Sequence, residues 1–202
     1  MFEVEKNFNL TPEEKRCLLE GAEFVGEKTF TDVYLDALTN DLTKRDIWLR
    51  KRGERFELKL PVESAEKGCS RKTKHYLEIE TDDEIRRELL LPLEGTMEKA
   101  IELAGYSPFC ICITTRASYV KRGFNIVIDH VTYEGSDWSY DTSEIELLVS
   151  TAEEISQAEE KIVEFAAEHG LKSGTAPGKV IEYLRRDRPE HYRALVESGV
   201  IL

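Results

Sequence analysis

Charged side chains recur two residues apart along stretches of this sequence in which apolar and polar residues alternate. FEVEKNF at residues 2–8 is the first such stretch. Alternate residues of a strand share a face, so each charged pair is predicted to lie opposite an apolar face. The pairs are Glu3 and Glu5, Arg50 and Arg52 with Trp48 in line, Glu57 and Lys59, Glu78 and Glu80 behind Tyr76, and Glu144 and Glu146, while Arg116 and Asp129 are single charges.

Acids and bases that face each other inside a closed sheet suit one class of ligand. Arg and Lys side chains bind phosphate oxygens, and clustered carboxylates remain ionised together only beside cations. Mg²⁺ takes its oxygen ligands from carboxylates, waters and substrate phosphates. This pattern predicts a polyphosphate bound with Mg²⁺. The alternative is a set of cross-strand ion pairs on an open, solvated face.

The chemistry depends on strands that bring these pairs together. Strand patterns cover residues 2–9, 23–35, 46–52, 55–61, 74–81, 109–121, 124–133 and 143–150. RKRGERF and KRGFN predict antiparallel hairpins that turn at Gly53 and Gly123. About eight mostly antiparallel strands are enough to close into a barrel with its charged faces inward.

Helices are predicted between and after the strands. Thr11 and Glu14 form a capping box with Pro12 at the first helical position. Thr151 and Glu154 repeat the box before a helix that ends near 170, and shorter helices are predicted near 83–91, 96–104, 178–187 and 189–198. The prediction is one α+β domain over residues 1–202.

Composition excludes several classes of function. The 202 residues carry a formal net charge of −12 with a pI near 5.0, which argues against nucleic acid as the main partner. No run of 18 apolar residues and no apolar leader occurs, so we expect neither secretion nor a membrane span. The cysteines lack a CxxC pair, which favours reduced thiols and a cytoplasmic location. They are Cys17, Cys69, Cys110 and Cys112. We also expect a monomer.

Other chemistries find little support in the sequence. There is no GxxxxGK[ST] phosphate loop. The histidines lack metal-ligand spacing and are expected to be structural or exposed. They are His75, His130, His169 and His191. The basic stretch Ser64–His75 is predicted to be a solvated loop that could help gather an anionic substrate.

An ordered set of motifs gives the sequence a family resemblance. The set is FTDVYLD, DIWLRKR, FELKLP, YLEIE, ITTRAS, IVIDH, EIELLV and APGKVIEYL, and with the acidic first strand it covers residues 2 to about 192. In this order the chain resembles the CYTH-domain proteins, or triphosphate tunnel metalloenzymes, and among them the animal thiamine triphosphatases. The resemblance implies a closed antiparallel eight-stranded β-barrel with flanking helices, whose interior binds a triphosphate and a divalent metal.

The resemblance also implies roles for individual residues. The metal-side carboxylates would be Glu3, Glu5, Asp129, Glu144 and Glu146, and the phosphate binders Arg50, Arg52, Lys59, Arg116 and Lys179. Trp48 would stack on the cationic thiamine ring system. Glu78 or Glu80 would orient or deprotonate the attacking water.

One position departs from the family pattern. The family begins with ExExK, whereas this chain has Asn7 at the third position and Lys6 one residue earlier. Without a bulge, Lys6 is predicted to face the opposite side of the strand. Asn7 would donate hydrogen bonds to the substrate but brings no charge.

The implied activity is Mg²⁺-dependent hydrolysis of thiamine triphosphate to thiamine diphosphate and phosphate. Two alternatives remain open from the sequence. The substrate could instead be inorganic triphosphate or a nucleoside triphosphate, with hydrolysis or cyclisation. The domain could also be an anion-binding module that lost turnover with the signature lysine.

Overall fold

Eight antiparallel strands close into a barrel. A computed structural model describes residues 2–61, 74–171 and 176–201. The strands are β1 (Phe2–Phe8), β2 (Glu23–Asp36), β3 (Trp48–Arg52), β4 (Arg55–Pro61), β5 (Lys74–Ile79), β6 (Ser107–Lys121), β7 (Phe124–Tyr133) and β8 (Ser139–Val149). Their order around the barrel is β1-β5-β4-β3-β2-β6-β7-β8, which confirms the predicted closed antiparallel fold. Most of the predicted basic loop, including Cys69, lies outside the described residues.

The two predicted hairpins are present, and glycine backbone geometry makes both turns possible. Gly53, with φ of 60°, follows directly after β3. Arg122 and Gly123 connect β6 to β7 with φ of 54° and 85°. Two successive positive φ values are typical of a type I′ turn, whose twist matches that of the flanking strands.

The predicted helices are also present. They are α1 (Pro12–Leu19), α2 (Asp82–Glu88), α3 (Met97–Leu103), α4 (Ile155–Glu168), α5 (Lys179–Asp187) and α6 (Pro189–Glu197). Thr11 and Glu14 form the predicted capping box at the start of α1. No helix in the described ranges is long and apolar enough to cross a membrane.

Several boundaries differ from the sequence prediction, and three of them have a clear local cause. β3 begins at Trp48 rather than at residue 46, because a 3-10 turn at Thr43–Arg45 ends on Asp46 with a left-handed φ of 60°. β8 begins at Ser139 rather than at residue 143, because its pairing with β7 extends to Thr132 opposite Ser139. The Thr151–Glu154 capping box encloses a 3-10 turn, and α4 begins only at Ile155.

Helices cover the outer faces of the barrel and one end of its interior. One outer cluster packs Val4 and Ile145 against α4, and another packs Leu49 and Leu58 against α2 and α3. A third cluster joins residues of α5, α6 and the segment after α6 to Tyr34 and other inward-facing aromatic residues. The helices α5 and α6 therefore cover one end of the lumen, and the rest of the lumen remains a cavity of about 860 Å³.

Candidate active site

Strand alternation turns the predicted charged rows into the lumen. In β1, the pairing with β8 runs without a register shift and puts Glu5 opposite Glu146 and Asn7 opposite Glu144. Glu3, Glu5 and Asn7 line the cavity. Lys6 also borders it, but it is paired with Ile145 of the outer cluster and so lies on the other face of the strand, as predicted.

Three carboxylates converge on one wall of the lumen. One oxygen from each of Glu3, Glu5 and Glu146 lies within 4.8 Å of the others. Burial raises the pKa of Glu3 to about 7, against the charge of Lys59. Burial, the Glu144 charge and the Glu3 charge raise the pKa of Glu146 to about 9.

This cluster fits a divalent cation. Oε1 of Glu146 is buried and has no hydrogen-bond partner within the described residues. Burial also raises the pKa of Glu5, so all three carboxyl groups hold their protons more strongly than they would in water. Closely spaced carboxylate oxygens that repel one another are the ligand type that Mg²⁺ prefers.

Lys59 lies beside this cluster and connects it to β5. Its Nζ is 2.7 Å from Oε1 of Glu78, 3.2 Å from Oε2 of Glu3 and 3.8 Å from Oε2 of Glu5. Burial by itself would lower the pKa of Lys59, but Glu5 and Glu3 raise it above its ordinary value. Burial opposes ionisation of Glu78, yet Lys59 outweighs it and lowers the pKa of Glu78 to about 2.

Arg116 binds the two other acids that the resemblance placed beside the metal. Its guanidinium donates to both carboxylate oxygens of Asp129, at 2.7 and 2.6 Å, and to Oε2 of Glu144 at 2.9 Å. Burial by itself would raise the pKa of Glu144, but Arg116 brings it below its ordinary value. Asp129 and Glu144 therefore orient the guanidinium of Arg116. The cluster of closely spaced carboxylates is formed by Glu3, Glu5 and Glu146 instead.

Asp32 connects two further predicted phosphate binders. It is fully buried and accepts from Arg52 at 2.6 and 2.9 Å and from Nζ of Lys179 at 2.7 Å. Burial by itself would raise the pKa of Asp32, but Arg52 and Lys179 hold it well below its usual range. Sequence reasoning did not assign Asp32 to the site, although its alternation with Tyr34 in FTDVYLD was a usable signal.

An aromatic ring lies among these cations. The Phe30 ring centroid is 4.2 Å from the guanidinium carbon of Arg52, 5.2 Å from Nζ of Lys179 and 5.9 Å from the guanidinium carbon of Arg116. The negative face of an aromatic ring attracts cations. Phe30 thus helps to hold like charges near one another, and its role was also missed from the sequence.

Trp48 and Arg50 lie on β3 and line the cavity together. Nε of Arg50 donates to Glu57 at 2.6 Å. Trp48 is 8% exposed and packs in the cluster with Tyr34 and Tyr76, so it is at once a packing residue and part of the cavity wall.

The remaining predicted residues also border the cavity. Glu78 lies within β5 and Glu80 directly follows that strand, and both residues are exposed where they line the cavity. Asn7 borders the same cavity, and its buried Oδ1 has no hydrogen-bond partner in the part of the chain that is described. Every residue predicted for the site lines the cavity or is ion-paired to a residue that does.

The fold and the site together are a closed antiparallel barrel whose lumen holds several ion-paired cations and a cluster of three carboxylates. Residues 1–177 match the CYTH domain family, and the chain belongs to that family.

Individual relatives support the same assignment. The chain is 29% identical to a thiamine-triphosphatase of Macaca fascicularis and to one of Homo sapiens, in each case over 98% of this chain and 90% of the relative. A solved structure from Pyrococcus horikoshii OT3 is 22% identical, superposes with a TM-score of 0.60, and covers 92% of this chain and 99% of its own. This last similarity concerns the fold.

Proposed function

We propose that this protein is a triphosphatase that hydrolyses thiamine triphosphate to thiamine diphosphate and phosphate with the help of Mg²⁺. The observation that carries the proposal is the convergence of Lys59, Arg116 and Lys179 with the Glu3–Glu5–Glu146 cluster in one enclosed lumen. The thiamine-triphosphatase relatives, which match almost the whole chain, support this choice of substrate.

The cations are arranged to bind a chain of phosphates. Arg52, Lys179 and Arg116 each pair with a buried carboxylate, which holds their side chains in place before a ligand arrives. Such preorganised donors stabilise charge that develops on phosphate oxygens without having to reorient. Arg50 and Lys59, which are also ion-paired, complete the proposed phosphate-binding set.

Glu3, Glu5 and Glu146 would hold the divalent cation. When bound, Mg²⁺ would neutralise oxygens of the transferred phosphoryl group and of these carboxylates. The three carboxylates would position the metal ion beside Lys59. We place Asp129 and Glu144 near the same phosphates through their ion pairs with Arg116.

Glu78 is the stronger candidate for orienting the attacking water. It lines the cavity beside Lys59, is ionised at neutral pH and can accept a hydrogen bond from water. A pKa near 2 makes it a weak base, so its proposed role is orientation rather than full deprotonation. Glu80 would bind water or Mg²⁺ near the opening of the cavity, where it is exposed.

Trp48 would contact the thiamine part of the substrate. Its indole belongs to the cavity wall beside Tyr34 and Tyr76, and thiamine carries a positive ring. A cation over an indole face is attracted by about 0.5 to 2 kcal/mol. The aromatic residues therefore provide a reason for preferring thiamine triphosphate over inorganic triphosphate.

A substrate panel tests the proposal. Purified protein is assayed for phosphate release from thiamine triphosphate, inorganic triphosphate and ATP, with Mg²⁺ and with EDTA. We expect Mg²⁺-dependent release from thiamine triphosphate, and a Trp48→Ala variant that loses this activity while it retains hydrolysis of inorganic triphosphate. Absence of phosphate release from thiamine triphosphate at micromolar enzyme would overturn the proposal.

Asn7 favours a second candidate function. It occupies the lysine position of the family signature, and its buried side-chain oxygen Oδ1 has no hydrogen-bond partner among the described residues. A lumen that has lost this ammonium could bind triphosphate without turning it over. Tight binding of inorganic triphosphate with no phosphate release, together with hydrolysis gained on Asn7→Lys, would support the binding module.

A further inference from the structure

Asp46 lies directly behind the aromatic wall of the cavity. Its side chain is buried, and its Oδ1 accepts hydrogen bonds of 2.9 Å from both Nε1 of Trp48 and the hydroxyl of Tyr76. An indole N–H can only donate, so this bond fixes the edge of Trp48 that faces the carboxylate. One oxygen atom therefore orients two aromatic side chains of the cavity wall.

The backbone of Asp46 is held in an unusual conformation that serves this contact. Its φ of 60° and ψ of 28° are left-handed, and its N–H donates to the carbonyl of Thr43 at 2.9 Å. A non-glycine residue in this region is uncommon, although aspartate tolerates it better than most. The conformation occurs immediately before β3, and the side chain bonds to the indole two residues further on. Such outliers are enriched at functional sites.

The turn that carries Asp46 is held by side-chain hydrogen bonds from both neighbouring segments. Oδ1 of Asp36 accepts from the backbone N–H of Leu42, and its Oδ2 accepts from that of Thr43, both at 2.9 Å. The hydroxyl of Thr43 lies 2.7 Å from Nε2 of His191 in α6. The position of the Asp46 carboxylate is thus fixed by contacts on both sides of the turn.

The carboxylate of Asp46 increases the attraction of the Trp48 and Tyr76 rings for cations. Negative charge at the N–H edge of an indole and at the hydroxyl of a phenol makes the ring faces more attractive to a cation. A cation already lies over one of the rings, because Nζ of Lys59 is 5.8 Å from the ring centroid of Tyr76. The Trp48 ring lines the same cavity.

We propose that Asp46 is a positioning residue for the organic cation of the substrate: it orients Trp48 and Tyr76 and strengthens their attraction to a positively charged ring. The inference rests on the proposed function, in which thiamine supplies that ring. It predicts that Asp46 affects substrates with a cationic organic group and leaves the phosphate-binding part of the lumen unchanged.

Two substitutions separate orientation from charge. Asp46→Asn keeps an oxygen acceptor and tolerates the left-handed backbone, but it removes the negative charge. We expect the KM for thiamine triphosphate to rise about 5- to 10-fold, with little change in kcat and unchanged kinetics for inorganic triphosphate. Asp46→Ala also removes the acceptor, so the KM should rise further. Asp41→Asn, an exposed acid of the same turn, is the matched control and should have no effect.

A spectroscopic readout tests orientation independently of activity. The chain has two tryptophans, so Trp138→Phe leaves Trp48 as the sole indole emitter. In that background we expect Asp46→Ala to shift the emission of Trp48, whereas Asp46→Asn leaves it close to the parent. Thermal melting establishes that each variant folds, and Asp46→Asn decides the charge effect if Asp46→Ala does not fold.

The outcomes that overturn the inference are distinct from those that overturn the function. An equal loss on thiamine triphosphate and inorganic triphosphate, or an unchanged KM for thiamine triphosphate in Asp46→Asn, would overturn the role of Asp46. If the wild type does not hydrolyse thiamine triphosphate, the proposed function fails by itself. Asp46 is then tested by measuring the equilibrium binding of thiamine diphosphate and of inorganic pyrophosphate to the wild type and to Asp46→Asn. Weaker binding of thiamine diphosphate alone in the variant supports the role. An unchanged affinity for thiamine diphosphate, or an equal loss of affinity for both ligands, overturns it.

Discussion

Nζ of Lys179, the first residue of α5, lies 2.7 Å from Oδ2 of Asp32 on β2, although the two residues are 147 positions apart. The same carboxylate accepts two hydrogen bonds from Arg52. A buried anion thus holds two of the proposed phosphate-binding cations in the lumen before substrate arrives. This arrangement leads to a direct test.

Asp32→Asn should destabilise the protein and increase its response to ligand. The variant leaves Arg52 and Lys179 without their buried counter-charge, and removing one partner of a buried ion pair costs about 3 to 5 kcal/mol. We expect a lower free energy of unfolding in urea, and a larger rise in melting temperature on addition of inorganic triphosphate than in the wild type, since the ligand can neutralise both cations.

The control for Asp32→Asn is Glu98→Gln, which removes an exposed carboxylate that pairs with Lys51 at 2.9 Å. Exposed pairs contribute at most about 1 kcal/mol, so this variant should remain close to wild type. Equal destabilisation by the two substitutions would contradict the role given to Asp32.

The metal-free protein should lose stability as the pH rises from about 4.5 to about 9. Glu3 and Glu146 have pKa values near 7 and 9 in the folded state, against 4.5 for a model carboxyl group. Between these values the folded state binds more protons, so the free energy of unfolding falls by up to about 1.4 kcal/mol per pH unit for each group. Urea unfolding in EDTA across this range measures the slope.

The acidic range should show the opposite trend, from different residues. Asp32 and Glu78 have lowered pKa values when folded, so the stability they contribute is present above the unfolded pKa and is lost as the pH falls toward about 2. Metal-free protein whose stability did not change between pH 5 and 9 would contradict the raised values at the carboxylate cluster.

Glu146→Gln should stabilise the metal-free protein at pH 8 or above and weaken its response to Mg²⁺. The substitution removes one of three carboxylates whose oxygens lie within 4.8 Å, so mutual repulsion falls while a metal ligand is lost. We expect a higher melting temperature in EDTA and a smaller Mg²⁺-induced shift than in the wild type. Glu134→Gln, at an exposed position, is the control, and a full Mg²⁺ shift in Glu146→Gln would exclude this residue as a ligand.

Asn7→Lys should strengthen triphosphate binding. The new ammonium would extend from the row of Glu3 and Glu5, opposite Glu144, toward the lumen. A hydrogen bond to a charged group contributes about 1.5 to 3 kcal/mol, so the KM for triphosphate should fall about tenfold or more. Asn7→Met has similar length without charge and separates bulk from electrostatics. Equal kinetics for the Lys and Met variants would show that charge at this position is unimportant.

The sequence by itself determined which residues share a face. Strict alternation in β1, and Gly53 and Gly123 at the hairpin turns, predicted an inward row of charges because strand side chains repeat every second residue. The family motifs gave the barrel closure and the proposed roles. Each of these signals is local or follows chain order, and so it can be read without coordinates.

Only the tertiary structure decided which charges meet. The register of β1 against β8 sets Glu5 opposite Glu146, and the register of β6 against β7 sets Arg116 opposite Asp129. The helix α5 carries Lys179 to Asp32. The left-handed turn at Asp46 was likewise missed, since the pattern favoured a continuous strand from residue 46. Pairings between distant strands depend on barrel closure and on the packing of α5 over its end, and local periodicity contains no information about either.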